Sequence, residues 1–174
     1  MTTVTSVAAA CAAASSHTTA SAGILQAARA LLPDLERGRR IDAGVLRSAM
    51  ETAFGASDAA GAWDWKRAYD ACEAVTVLFL LKYGNALFRK ADSSASRLSA
   101  LTKIAGLLPT HTRRSEESQA LQQFSTPIAL GLAACTAAAI TPADCVLEPS
   151  AGTGLLAVLE IGRASCRERV SECV

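Results

Sequence analysis

The chain has 174 residues, and its 17 basic residues nearly balance its 16 acidic residues. Hydrophobic residues make up 51% of the chain, with alanine supplying much of that share and aromatic residues only 5%. The length suits one ordinary domain. The formal charge of +1 excludes the strongly basic surface that neutralises nucleic-acid phosphates.

Residues 1–22 are the first of five predicted segments and are rich in Ala, Ser and Thr. They lack the basic start and the strong apolar core of a secretory signal. We interpret them as a disordered, low-complexity N-terminus or a weak helix.

Residues 23–109 form a predicted helical region, in which apolar residues recur with helical spacing. Asp42 is the predicted N-cap of the second helix, and Pro33 and Pro109 end the first and the last. The third helix is apolar all round in its middle, which predicts a central, buried helix. The four predicted helices are Gly23–Leu32, Ile41–Phe54, Trp63 or Asp64 through Phe88, and Ser93–Leu108.

Each of these helices has a predicted inward face. Trp63 and Trp65 have two interpretations, stacking on bases as in single-strand binders or anchoring the core. Their helical spacing and the weak surrounding charge favour the core. The other predicted inward residues are Ile24, Leu25, Ala28 and Leu31, then Val45, Leu46, Ala49, Met50 and Phe54, then Tyr69, Cys72, Val75, Thr76, Leu78, Phe79, Leu81 and Tyr83, then Leu98, Leu101, Ile104, Ala105 and Leu108.

Residues 110–123 are a predicted polar linker with a short helix, and a better-defined helix start follows them. Thr126 is a predicted N-cap, since its hydroxyl can accept a hydrogen bond from an early helix N–H. Pro127 fits the first helical position, where its missing N–H costs nothing. The helix is predicted over Ile128–Ile140, and its predicted buried residues are Ile128, Leu130, Leu132 and Ala133.

A strand, a tight loop and a helix are predicted over residues 145–159. The run 145–147 has β propensity, residues 150–154 are small, and the leucines from Leu155 onward have helical spacing. Gly152 and Gly154 have no Cβ, so the backbone can turn sharply and a ligand can approach it closely. Loops of this kind lie at the carboxyl end of a strand, where ligands bind in open α/β sheets.

The residues of this loop exclude one ligand class and leave two open. A P-loop requires Gly-Lys-Ser/Thr, which is absent here. Gly152, Gly154 and Ala157 match the Gly-x-Gly-x-x-Ala spacing of nicotinamide and flavin sites. In that fingerprint, however, the strand usually runs straight into the first glycine, whereas Glu148 and Pro149 intervene here.

The loop, read as Glu-Pro-Ser-Ala-Gly-Thr-Gly, resembles motif I of S-adenosylmethionine-dependent methyltransferases in the form typical of N6-adenine DNA methylases. Upstream, Phe-Ser-Thr-Pro resembles motif X of the same family, one helix ahead of motif I as expected. The resemblance implies S-adenosylmethionine as cofactor, with the acid near its ammonium group and motif X near its carboxylate. The implied cofactor-binding residues are Phe124, Ser125, Thr126, Pro127, Glu148, Pro149, Ser150, Ala151, Gly152 and Gly154.

The helical spacing of the residues predicts a fold that is mainly α. The resemblance implies that the helical region is followed by the first βα unit of a truncated Rossmann-like (α/β) methyltransferase domain over residues 124–160. The chain lacks the Pro-Pro-aromatic catalytic motif of these enzymes, so we assign no catalytic residue. Residues 161–174 resemble the translation of a sequencing-library adapter, and we expect them to be a non-native tail on a fragment.

The resemblance implies DNA as the partner of the intact protein. One alternative is a non-catalytic methylase-like module of a helicase-type protein, such as bacterial strawberry-notch proteins, and a lesser one is an NAD-binding oxidoreductase fragment. The apolar run 74–81 is too short to span a bilayer, so no membrane partner is expected.

The six cysteines show no Cys-x-x-Cys pair, so neither a zinc site nor a disulfide framework is expected. Cys72, Cys135 and Cys145 are predicted to be small buried hydrophobes. This usage indicates a reducing cytoplasm.

Overall fold

The computed structural model describes residues 4–110, 125–141, 143–148 and 152–160, with side chains from residue 19 onward. Within these ranges the fold is mainly helical. The predicted short helix over 116–123 and the predicted tail over 161–174 lie outside the described residues. The helices are α1 (Val4–Glu36), α2 (Ala43–Phe54), α3 (Trp65–Lys90), α4 (Ser94–Ala105), α5 (Ile128–Ala137) and α6 (Ala157–Glu160).

The predicted strand at residues 145–147 is not formed, and no strand occurs among the residues that the structure describes. Leu147 is 86% exposed. A strand is stable only when neighbouring strands satisfy its backbone groups, and the described ranges supply none. The helix expected from Leu155 is a single turn, α6. A Rossmann-like βα unit is therefore not part of the described fold.

Helix α1 runs through Pro33, which we expected to end it. The proline ring lies on the exposed face, while Leu31 and Leu35 on the other face are buried. The last turn is also held by Glu36, which accepts hydrogen bonds from Lys82 Nζ at 2.7 Å and Tyr83 Oη at 3.1 Å. Packing on both sides of the proline thus outweighs the one backbone hydrogen bond that it removes. Residues 4–22, for which we expected disorder or a weak helix, form the first part of the same helix.

Side-chain caps set the beginnings of α2, α3 and α4, as expected for Asp42. Its carboxylate accepts from the backbone N–H groups of Gly44 and Val45 at 2.8 and 2.9 Å. Asp64 accepts from the N–H of Arg67, and the Ser93 hydroxyl accepts from a backbone N–H of α4. These side chains satisfy donors that have no partner inside their helices.

The Asp42 cap provides a direct test of this local assignment. We expect Asp42→Ala to lower the free energy of unfolding by about 0.5–2 kcal/mol, because two N–H groups lose their acceptor. Asp42→Asn keeps a capping oxygen and should retain most of the stability. Chemical denaturation of the two variants measures the difference, and equal losses in both would contradict the capping role.

Helix α3 is the centre of the fold, as predicted, and packs against α1, α2, α4 and α6. It is long and apolar enough to span a membrane by length and composition. In this structure its apolar residues instead form the core with the inward faces of the other helices. The fully buried large side chains are Leu31, Ile41, Leu46, Met50, Trp63, Cys72, Val75, Leu101 and Leu159.

Close packing of α1 on α2 depends on Gly23. A Cβ at this position would lie 2.6 Å from Cζ of the Phe54 ring, so the absent side chain makes room for the aromatic ring. At the other end of the region, the N–H of Ile41 donates to the carbonyl of Leu107 at 2.7 Å. The segment before α2 is thereby joined to the end of α4.

Several residues that we expected to face inward are exposed. Apolar spacing identifies a stripe on a helix, but it does not show how much of the stripe a neighbouring helix covers. Here the residues at the edges of the stripes remain uncovered. The exposed residues are Leu25, Val45, Leu81, Leu98, Ala105, Leu130 and Ala133.

The three cysteines whose side chains are described differ in environment. Cys72 and Cys135 are buried as predicted, whereas Cys145 is exposed, because the segment around it is not packed as a strand. Burial raises the pKa of the Cys72 thiol to about 12, and the nearby charge of Glu73 adds to the effect. The Cys72 thiol is therefore both shielded and protonated.

We expect iodoacetamide at mildly alkaline pH to modify Cys145 rapidly in the native chain, because reaction requires an accessible thiolate. Cys72 and Cys135 should react only after denaturation. Peptide mapping by mass spectrometry measures each site separately. Native labelling of Cys72 as fast as Cys145 would contradict the packing of α3.

Candidate functional site

The glycine loop, defined as residues 152–154, turns through two left-handed glycines. Gly152 has φ 52° and Gly154 has φ 81°, conformations that residues with a Cβ adopt only at a cost. Among the described residues, apart from the two neighbours of Gly154 in the chain, no atom lies within 4 Å of the position that a Cβ would take on Gly154. The backbone of the loop is thus sharply turned and bare on that side, as expected from the sequence.

The segment that enters the loop is fixed by a turn at Asp144. Its carboxylate accepts from the backbone N–H of Thr141 at 2.7 Å and from the Thr141 hydroxyl at 2.8 Å. These two hydrogen bonds, the backbone one first, hold the pKa of Asp144 below its usual value.

Helix α5 packs against the turn of helix that follows the glycine loop. Gly131, in the first turn of α5, faces Leu156 and Leu159. A Cβ on Gly131 would lie only 2.6 Å from Leu156 Cδ2 and 3.1 Å from Leu159 Cδ1. The absence of a side chain at Gly131 thereby brings the two motif-bearing segments together.

The predicted cap of α5 is not formed by Thr126. Pro127 occupies the capping position with ψ 135°, and no side chain caps the helix. The Pro127 carbonyl accepts from the N–H groups of Leu130 and Gly131, so the N-cap lies one residue later than we expected, at Pro127, and α5 begins at Ile128. Ser125, Thr126 and Pro127 are exposed at the beginning of α5.

The remaining predicted cofactor residues are only partly described. Glu148 is half-buried, between the exposed Leu147 and the glycine loop. Phe124, Pro149, Ser150 and Ala151 lie outside the described residues.

Glu73, a second acid, belongs to the helical region and contacts the glycine loop. Glu73 lies on α3 and is 7% exposed, and its Oε2 accepts a hydrogen bond of 2.7 Å from the hydroxyl of Thr153. Such a short hydrogen bond to a carboxylate is among the stronger kinds in proteins. The contact joins residues 80 positions apart in the sequence.

Neither Glu73 nor Thr153 was predicted to be a site residue. One signal was present, because Glu73 is the single charged residue between Asp70 and Lys82 in an otherwise apolar stretch. An acid within the buried part of a helix needs a polar partner. The identity of that partner follows from the tertiary fold alone, since Thr153 belongs to a distant segment.

Within the described ranges, no three His, Cys, Asp or Glu side chains converge in a way that could hold a metal ion. The arrangement therefore consists of bare backbone, one half-buried acid and one buried acid that holds the loop. Its chemistry suits the binding and orientation of a ligand. Comparisons of the chain with protein-family models, curated proteins and solved structures found no match in any of the three.

Proposed function

We propose that this chain supplies part of the cofactor site of an S-adenosylmethionine-dependent methyltransferase, of the type that methylates adenine in DNA. The proposal rests on the two sequence motifs and on one observation. The helix that follows Ser125-Thr126-Pro127 packs, at Gly131, against the helix turn that follows the glycine loop. Two segments that share a cofactor in such enzymes are neighbours here.

The residues present fit a cationic nucleoside. The left-handed glycines expose backbone on which a ligand can lie closely, and within the described part of the chain the space beside Gly154 is open. Glu148 precedes the glycine loop in the same segment and is half-buried. A carboxylate that is partly shielded from water attracts an ammonium group more strongly than one in bulk solvent.

In the reaction, S-adenosylmethionine supplies a methyl group on a sulfonium centre. Glu148 would orient the ligand through its ammonium group, and the glycine loop would hold the adjoining part of the ligand against the backbone. The work of these residues is positioning and electrostatics. We assign no catalytic residue within this chain, and we propose DNA as the partner and the cytoplasm as the compartment of the intact protein.

Isothermal titration calorimetry of the 174-residue chain tests the proposal. We expect saturable heat with S-adenosylmethionine and none with NAD. Gly154→Ala should weaken the binding of S-adenosylmethionine, because the new Cβ strains the loop and covers bare backbone.

Gly61→Ala is a matched control for this variant. Gly61 also has a positive φ, 75°, and the residues that the structure describes likewise place no atom within 4 Å of an added Cβ, its two chain neighbours apart. The substitution should therefore carry similar strain but leave binding unchanged. If Gly154→Ala and Gly61→Ala lose the same amount of S-adenosylmethionine binding, the effect comes from reduced stability of the chain. Binding of NAD but not of S-adenosylmethionine would instead favour an oxidoreductase fragment.

A non-catalytic methylase-like module is the remaining alternative. Such a module need not bind the cofactor at all. Absence of heat with either ligand, in a chain shown to be folded by circular dichroism, would favour that function over ours.

A further inference from the structure

The buried carboxylate of Glu73 has no role in the cofactor site as the sequence motifs define it. Removal of a carboxylate from water is costly unless hydrogen bonds compensate. Lys82, the next cationic residue along α3, bonds instead to Glu36 at 2.7 Å. The Glu73 carboxylate accepts a hydrogen bond from the hydroxyl of Thr153, 2.7 Å away.

Thr153 occupies the middle of the glycine loop, between the two left-handed glycines. Glycine has the greatest backbone freedom of any residue, so a loop with two glycines loses much conformational entropy when it is ordered. A hydrogen bond at the residue between them restrains both neighbours at once. The Glu73–Thr153 contact is therefore placed where a single tether has the greatest effect on the loop.

We propose that Glu73 is a positioning residue for the cofactor: it holds Thr153 and thereby keeps Gly152 and Gly154 in the conformation that receives the ligand. This inference rests on the proposed function for the identity of the ligand. It makes the helical region part of the cofactor site, since Glu73 on α3 holds the glycine loop through Thr153. Helix α6, which follows the loop, also packs against α3.

The proposal makes the hydrogen bond, and not the negative charge, the decisive property of Glu73. Two pairs of substitutions separate these properties. Glu73→Gln and Thr153→Ser keep an acceptor and a hydroxyl, respectively, whereas Glu73→Leu and Thr153→Val remove them with similar side-chain volume.

We expect Glu73→Leu and Thr153→Val each to raise the dissociation constant for S-adenosylmethionine roughly 10- to 100-fold, the range for loss of a hydrogen bond to a charged group. Glu73→Gln and Thr153→Ser should stay within a few-fold of the wild-type chain. The double variant Glu73→Leu/Thr153→Val should bind no worse than either single variant, because both remove the same contact.

Two readouts distinguish positioning from general support of the fold. The thermal midpoint of the double variant Glu73→Leu/Thr153→Val should be equal to or above that of the wild-type chain, since hydrophobic side chains replace both partners of the hydrogen bond. S-adenosylhomocysteine, which lacks the sulfonium charge, should lose affinity by the same factor as S-adenosylmethionine. Selective loss of S-adenosylmethionine binding in Glu73→Gln would show direct charge contact and overturn the proposal.

Amide hydrogen exchange, measured by NMR on the full chain without ligand, tests the tether separately from the proposed function. Glu73→Leu and Thr153→Val should speed the exchange of the Thr153 and Gly154 amides, and the two conservative variants should not. Unchanged loop exchange in all four variants would overturn the positioning role. Failure of the wild-type chain to bind S-adenosylmethionine would overturn the cofactor assignment. The exchange rates would still decide whether Glu73 holds Thr153 in place.

Discussion

Replacement of Trp63 by alanine is expected to lower the free energy of unfolding by about 3–5 kcal/mol, the largest loss we expect from a single substitution. The Trp63 side chain is 2% exposed. Its ring lies edge-on to that of Trp65, with centroids 5.8 Å apart, and its Nε1 donates to the carbonyl of Ala56 at 3.0 Å. Truncation would leave both a cavity and an unpaired carbonyl.

Urea denaturation of the full chain measures this loss, with Leu81→Ala as the control. Leu81 lies on the exposed face of α3, and its truncation should cost no more than about 0.5 kcal/mol. Trp63→Phe, which keeps a ring but not the N–H, should give an intermediate loss if the alanine variant does not fold. A loss for Trp63→Ala as small as that for Leu81→Ala would contradict its place in the core and favour the base-stacking alternative.

Gly131→Leu is expected to destabilise the chain by about 1–3 kcal/mol through overpacking. The first carbon of any side chain at this position would lie 2.6 Å from Leu156 Cδ2, and leucine adds three more carbons. Helix α6 would have to move away from α5, and the glycine loop would move with it. Denaturation curves measure the stability, and S-adenosylmethionine titration should show weaker binding.

Gly84→Ala is the matched control, because Gly84 is also a buried glycine within a helix. A Cβ there would make ordinary contacts with Leu80, the nearest at 3.7 Å. Alanine should therefore stabilise α3 by about 0.4–1 kcal/mol, as expected where the glycine conformation suits other residues. Destabilisation by Gly84→Ala, or a gain from Gly131→Leu, would contradict the packing of these helices.

Local signals in the sequence predicted much of the helical region. The cap at Asp42 and the central position of α3 follow from residues within one or two turns of each other. Pro33 shows the limit of such signals. A proline ends a helix when nothing else holds the next turn, but Leu35 packs into the core and Glu36 bonds to α3.

The candidate site was predicted less completely, because its decisive contacts join distant segments. The freedom of Gly152 and Gly154 could be predicted from residue type alone. The Glu73–Thr153 hydrogen bond and the fit of Gly131 against Leu156 depend on how α3, α5 and α6 pack. The predicted strand at 145–147 also failed for this reason, since a strand requires partners that the described residues do not supply.

The most direct test of the account is an NMR titration of the isotopically labelled chain with S-adenosylmethionine. We predict that the amide signals of Gly152, Thr153 and Gly154 shift with the ligand. Those of Gly38 and Gly61, which are also left-handed glycines in turns, should stay in place. Shifts confined to other parts of the chain, or loop shifts with NAD but none with S-adenosylmethionine, would contradict the assignment of the glycine loop as a methyltransferase cofactor site.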